Sequence, residues 1–110
     1  PNIISYKEAF YDNESSTLNL VMEYAKEGDI ELKIKKMIKE KRFFSEKEIW
    51  TIFCQIVLGL KCLHDKKIMH RDLKSANVFL KGNEVKLGDL NVSKVIKSGL
   101  AFTQTGTPYY

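Results

Sequence analysis

The chain has 110 residues, of which 44% are hydrophobic, 29% charged and 11% aromatic; that is enough for one small folded domain, too short for two, and unlike a disordered tail. The net charge of +4 points to no nucleic acid, because Lys33, Lys35, Lys36, Lys39 and Lys41 are interrupted by Glu31, Glu40 and Glu46 and no aromatic residues interleave as a base-stacking surface requires. No apolar run approaches the ~20 residues that span a bilayer, and there is no signal segment, so no membrane partner is expected.

Residues 4–12 (ISYKEAFYD) and 17–24 (TLNLVMEY) read as two strands joined by a polar NESS turn. The second, apolar at Leu18, Leu20, Val21 and Met22, is expected to be the more deeply buried. AKEGD then breaks the strand. From Ile30 to Lys41 the apolar positions Ile30, Ile34, Met37 and Ile38 recur at helical spacing, with the lysines opposite.

Ser45 and Glu48 form an S-x-x-E capping box. Behind it Ile49, Ile52, Phe53, Ile56, Val57, Leu60, Leu63 and His64 follow the spacing of one buried stripe, so a helix is predicted to about Asp65. Gly59 within it costs about 1 kcal/mol relative to alanine, which implies a close helix contact. Cys54 and Cys62 lie two helical turns apart, roughly 12 Å, too far for a disulfide, and read as buried thiols in a reducing compartment.

Beyond the helix, IMH, a polar loop, VFL, a KGNE turn and VKLGD suggest a short strand, a loop and a hairpin closed at Gly82 and Asn83. Residues 91–110 lose periodicity and read as loop. The chain does not begin with methionine and stops within a polar and aromatic stretch, so it is expected to be cut from something longer.

The polar loop HRDLKSAN, residues 70–77, carries Asp72, Lys74 and Asn77, and Asp89 lies just past the hairpin. Carboxylate and amide oxygens of this kind can bind a cation while one aspartate stays free to accept a proton. A lone histidine after an apolar pair, His70, is expected to pack rather than react.

HRDLKSAN resembles the catalytic loop of eukaryotic protein kinases, H-R-D-x-K-x-x-N, and GDLNVSK stands where that family has its metal-binding D-F-G segment. Asp89 follows Asp72 by seventeen residues and GTPYY begins seventeen further on, which matches the family's order. The resemblance covers the whole chain but less than half of a kinase domain. It implies an α+β, protein-kinase-like fold in part: the end of the N-lobe at residues 1–22, the hinge at 23–28, and the start of the C-lobe through the activation loop at 29–110.

Carried over by position, the resemblance makes Asp72 the group that orients the substrate hydroxyl and accepts its proton. Lys74 would neutralise charge on the transferring phosphoryl group, and Asn77 and Asp89 would hold Mg²⁺ against the phosphates of ATP. Met22 would be the gatekeeper, the backbone of Glu23 and Ala25 would hold the adenine, and Phe79 would be a further cofactor contact. Arg71 would pair with a phosphate on Thr103, placed there by an activating kinase or by autophosphorylation, with Thr105 the weaker alternative. Thr107 resembles the threonine that lies against the catalytic Asp and Lys in serine/threonine kinases, and Lys74 favours the same class.

The implied activity is therefore ATP-dependent phosphorylation of protein serine or threonine. EGDIELKIKK, KLGDLNVSK and TQTGTPYY look most like the NIMA-related (NEK) kinases, which implies a cytoplasmic protein, at the cytoskeleton, centrosome or cilium. Two readings compete: a pseudokinase that binds nucleotide or a protein partner, and a scaffold fragment. The six glycines never occur as G-x-G, so the phosphate-covering loop and the ATP-binding lysine are expected upstream of Pro1, and the isolated chain is expected to be inactive and loosely packed.

The segment Asp89-Leu90-Asn91 departs from D-F-G by replacing glycine, the residue that most freely adopts positive φ, with asparagine, the next most tolerant. Asn91 is therefore expected to alter how readily the segment changes conformation without abolishing activity. Asn91→Gly in the full-length protein should change basal activity or its dependence on Thr103 phosphorylation; if kinase assays show neither, Asn91 has no such role.

Overall fold

A computed structural model describes residues 1–90 and 93–95. Its elements run β1 (Tyr6–Asp12), β2 (Thr17–Met22), α1 (Ile30–Lys39), α2 (Glu46–Asp65), β3 (Ile68–Met69), a 3-10 turn (Ser75–Asn77), β4 (Val78–Lys81), β5 (Glu84–Leu87) and β6 (Lys94–Val95). Three antiparallel two-stranded ribbons result, pairing β1 with β2, β3 with β6, and β4 with β5. The expected α+β composition is present.

Local chemistry sets the helix ends. Asp29 caps α1 by accepting from the Leu32 N–H at 2.8 Å. At the other end Arg42 N–H donates to Met37 O and Lys41 N–H to Ile38 O, the Schellman pattern, with Lys41 at φ 52° where glycine is usual. This closure stops the helix at Lys39, two residues short of the predicted end. In α2 the Ser45 and Glu48 capping box forms in both directions, as expected.

The core is a cluster of Ile30, Leu63, Val78, Val85 and Leu87, with Ile52, Ile56 and Leu60 of α2 packed against it. β5 lies at its centre, and Leu87 is fully buried. The first residues of the chain run alongside β5: Leu87 N–H donates to Asn2 O at 2.9 Å and Ile4 N–H to Leu87 O at 2.8 Å. Gln55 of α2 ties these layers together, accepting from Asn2 Nδ2 at 3.0 Å and from Val85 N–H at 2.8 Å. Gly59 makes a close contact of α2 as read from the sequence, but what approaches it is the Asn2 carbonyl and Leu87 of β5, not a second helix. A Cβ at 59 would sit 2.6 Å from that oxygen and 3.0 Å from Leu87.

Several burial expectations fail. β2 is no deeper than β1, since Leu18, Leu20, Val21 and Met22 are all exposed, because no described element covers either face of the ribbon. The single α2 stripe splits in two: Ile52, Ile56, Leu60 and Leu63 face the core, whereas Ile49, Phe53, Val57 and His64 face outward. Cys54 and Cys62 lie on that outward side and are exposed rather than buried. On α1, Ile30 and Met37 are buried while Ile34 and Ile38 are exposed. The strands 4–12 and 17–24 shorten to Tyr6–Asp12 and Thr17–Met22. Within the stretch read as loop, Lys94–Val95 is a strand, because β3 supplies its backbone partners. Among the described residues no helix is long and apolar enough to cross a membrane.

An ion cluster joins the end of β2 to the hairpin. The Glu23 carboxylate accepts from Lys81 Nζ at 2.7 Å and from Ser5 N–H at 3.2 Å, and Lys86 Nζ lies 3.2 Å away. The Lys81 ammonium first, then the Ser5 amide and Lys86, hold the Glu23 carboxyl down at about 2. Burial works against the Lys86 ammonium, but hydrogen bonds to Glu23 and Glu84 outweigh it and its pKa is raised.

Two outcomes are expected in the full-length protein. Gly59→Ala should destabilise by about 1–3 kcal/mol in urea unfolding, because the added methyl meets backbone rather than a movable side-chain end, and this exceeds the ~1 kcal/mol gain in helix propensity. The depressed Glu23 carboxyl contributes stability above its unfolded value of 4.5 that is lost as pH falls from there toward about 2. The stability gap between wild type and Glu23→Gln should therefore narrow as pH drops below 4.5, and a gap independent of pH would contradict this pairing.

Candidate active site

The loop between β3 and β4 is built around Gly88. His70, only 3% exposed, donates from Nε2 to the Gly88 carbonyl at 3.0 Å and accepts the Asp72 N–H on Nδ1 at 3.4 Å. One neutral tautomer, protonated on Nε2, satisfies both bonds. The Gly88 N–H donates to the Asn77 carbonyl at 3.0 Å. Gly88 is thus held from both sides by the polar loop, and Asp89 follows it directly. His70 packs, as read from the sequence.

Asp72, Lys74 and Asn77 converge. Asn77 Nδ2 donates to the Asp72 carboxylate at 3.0 Å and to the Asp72 carbonyl at 2.8 Å, and Lys74 Nζ lies 2.9 Å from the same carboxylate. The 3-10 turn makes this possible: Asn77 N–H donates to Lys74 O at 2.9 Å, which folds the asparagine back over the aspartate. Asn77 is 4% exposed, and its amide N–H bonds leave Oδ1 as its acceptor.

A cleft of about 780 Å³ opens beside this group. Asn77 and Asp89 line one part of it, Met22, Glu23 and Ala25 another, and Phe79 of β4 lies in its wall. The segment between β2 and α1 has no regular structure, yet its backbone is constrained. Glu23 N–H is taken by Ser5 O at 2.8 Å, Ala25 O accepts from Gly28 N–H at 3.2 Å, and Gly28 O accepts from Leu80 N–H of β4 at 2.8 Å. Glu23 can therefore offer a ligand its carbonyl and Ala25 its N–H, an acceptor and a donor two residues apart.

Two features escaped the sequence reading. Arg71 and Asp89 both have left-handed backbones, at φ 65° and 55°, a conformation that costs a residue with a Cβ about 1–2 kcal/mol. Ser16, Lys41 and Lys67 share the conformation at turns and helix ends, so it does not by itself mark the site; aspartate tolerates it better than most residues, and at Arg71 no sequence signal announced it. The other omission is the pair Lys81 and Lys86 behind Glu23. Lys86 stands between Val85 and Leu87, and all three are buried, so its apolar neighbours were the available clue. Asn91, Thr103 and Thr107 lie outside the described residues.

The model of the protein kinase domain matches residues 1–110. Mouse serine/threonine-protein kinase Nek1 is 44% identical over 113 residues, covering 100% of this chain and 9% of that protein. Human serine/threonine-protein kinase Nek2 is 39% identical over 118 residues, covering 100% of this chain and 26% of that protein. Among solved structures, the yeast RNA Pol II CTD kinase CTDK-1 complex contains a chain that superposes with a TM-score of 0.74 at 27% identity, over 89% of this chain and 31% of that one. The chain thus spans about a tenth to about a quarter of these two curated relatives. With its loop, second aspartate and cleft in the family's order along its whole length, the chain belongs to the protein kinase family and is similar to its Nek serine/threonine members.

Proposed function

We propose that the protein carrying this chain transfers the γ-phosphoryl group of ATP to serine or threonine hydroxyls of a protein substrate. The observation that carries this reading is the convergence of Asp72, Lys74 and Asn77 beside a cleft that Asp89 also lines. Protein kinases as a family use ATP and Mg²⁺.

The donor set fits Mg²⁺. Among the described residues no three His, Cys, Asp or Glu side chains cluster as a metal site, but Mg²⁺ is commonly held by one or two protein oxygens, completed by phosphate and water. Asn77 Oδ1 and the Asp89 carboxylate supply such oxygens. When bound there, the ion would offset phosphate charge during transfer.

Each remaining part of the reaction has a residue suited to it. The Asp72 carboxylate can accept the proton of the attacking hydroxyl at an oxygen, while Asn77 and Lys74 fix its orientation. Lys74, an ammonium 2.9 Å from Asp72, is close enough to stabilise charge developing on the phosphoryl oxygens as well. At the other part of the cleft the Glu23 carbonyl and Ala25 N–H complement the amino and ring-nitrogen edge of adenine, with Met22 and Phe79 as apolar surface around it. Lys74 and Thr107 favour serine or threonine as acceptor. Arg71, next to Asp72, is suited to a phosphate on Thr103, which would order the following loop through charge-assisted hydrogen bonds.

The pseudokinase alternative would retain nucleotide binding without transfer. The presence of Asp72, Lys74, Asn77 and Asp89 together favours the enzyme. In the full-length protein, Asp72→Asn should lower phosphate transfer to a protein substrate by about 100-fold or more with ATP affinity largely kept. Asp89→Ala should abolish Mg²⁺-dependent transfer. Radiolabelled transfer assays with binding measured in parallel check both; transfer undiminished in either variant would overturn the assignment.

A further inference from the structure

The cluster behind Glu23 is built more firmly than the segment it serves. Residues 23–28 form no helix or strand, so hydrogen bonds and ion pairs must fix the carbonyl and N–H that they present to the cleft. The far end is fixed by backbone bonds from Gly28 to Leu80 and to Ala25. At the near end the Glu23 N–H donates to Ser5 O at 2.8 Å, and the Glu23 side chain, 11% exposed, adds the links to the hairpin, reaching Lys81 of β4 and Lys86 of β5 as well as Ser5 N–H. Lys86 is 5% exposed and also donates to the Pro1 carbonyl at 2.7 Å and pairs with Glu84 at 3.2 Å.

Burying an ammonium in this way is a poor route to stability, since well-packed apolar residues of the same size do as well or better. It does confer geometry: of the three donors around the carboxylate, Lys81 and Lys86 set where Glu23 lies relative to β4 and β5, and Ser5 N–H ties it to the first residues of the chain. Those strands carry Phe79 in the cleft wall and lead into Gly88 and Asp89. The clamp therefore references the base-holding edge of the cleft to the strands that position its metal-binding end.

We infer that Lys86, assisted by Lys81, is a positioning residue that acts through the Glu23 carboxylate to set the backbone edge that recognises the nucleotide base, and so governs ATP affinity and the preference for adenine over guanine. This rests on the proposed nucleotide site. It goes beyond that reading by assigning the function to two side chains that touch no ligand.

The test uses the full-length protein, with ATP and GTP affinities measured by calorimetry and KM and kcat measured alongside. Lys86→Met should weaken ATP binding about tenfold, the effect of one charge-assisted hydrogen bond, and should narrow the ATP over GTP preference. It should raise KM while kcat at saturating ATP changes less than about twofold. Lys86→Arg should restore most of the affinity, and Glu23→Gln combined with Lys86→Met should be no worse than the single changes, since both break one link. Should Lys86→Met fail to fold, Lys81→Ala at the half-exposed position reads the same link, with a two- to threefold loss expected. A folded Lys86→Met or Lys81→Ala protein with wild-type ATP affinity and base preference, or only a lowered melting temperature, overturns the inference. Wild type that binds ATP but transfers no phosphate overturns the kinase reading and leaves the clamp to be decided by affinity; wild type that binds neither nucleotide overturns both.

Discussion

The described structure depends on the burial of β5 between the first residues of the chain and α2. Leu87 is fully buried there, worth about 1.5–3 kcal/mol of apolar transfer on its own. Both backbone polar groups of Leu87 bond to the first residues of the chain, its N–H donating to Asn2 O and its C=O accepting from Ile4 N–H, while the opposite edge of β5 pairs with β4. Gly59 lets α2 come close enough to close the layer. The strand that results cannot slip without shifting every one of these contacts, because a one-residue change would exchange the faces on which Lys86 and Leu87 lie.

From this fixed strand the chain runs directly into Gly88 and Asp89. His70 and Asn77 bond the two polar groups of Gly88, so the loop carrying Asp72 is registered against the same point as the second aspartate. The two carboxylates come from segments seventeen residues apart, yet a single residue, Gly88, couples them. The left-handed backbone at Arg71 costs about 1–2 kcal/mol and that at Asp89 less, because a short polar side chain tolerates the region; a core built around β5 can sustain both. Rigid packing beneath and strain at the surface is the arrangement expected where geometry, rather than stability, is the requirement.

Much of this was legible in the sequence where the determinants are local. The Ser45 and Glu48 capping box and the Gly82 turn each follow from residues within a turn or two of one another, a glycine inside the α2 pattern signals a close approach without naming the Asn2 carbonyl that makes it, and the loop motif follows from fixed spacing. What was not legible is set by distant partners. Glu23 meets Lys81 and Lys86 across about sixty residues, and nothing in the TLNLVMEY stretch announces that its carboxylate belongs to a hairpin. Apolar residues in β2 and on the outward side of α2 read as buried because composition registers hydrophobicity and not which neighbour covers it; Cys54 and Cys62 were misread for the same reason. The short strand Lys94–Val95 formed against expectation because β3 offered an unpaired edge, a fact of topology rather than of propensity.

The central claim is that one cleft holds a nucleotide between the Glu23 and Ala25 backbone and the Asn77 and Asp89 side chains, with Asp72 beside the reacting end. A crystal structure of the full-length protein with a non-hydrolysable ATP analogue and Mg²⁺ tests it most directly. The account predicts the adenine edge on the Glu23 carbonyl and Ala25 N–H, and the metal within about 2.0–2.1 Å of oxygens from Asn77 and Asp89. A nucleotide bound elsewhere, or bound in the cleft with its phosphates turned away from Asp72, would contradict it.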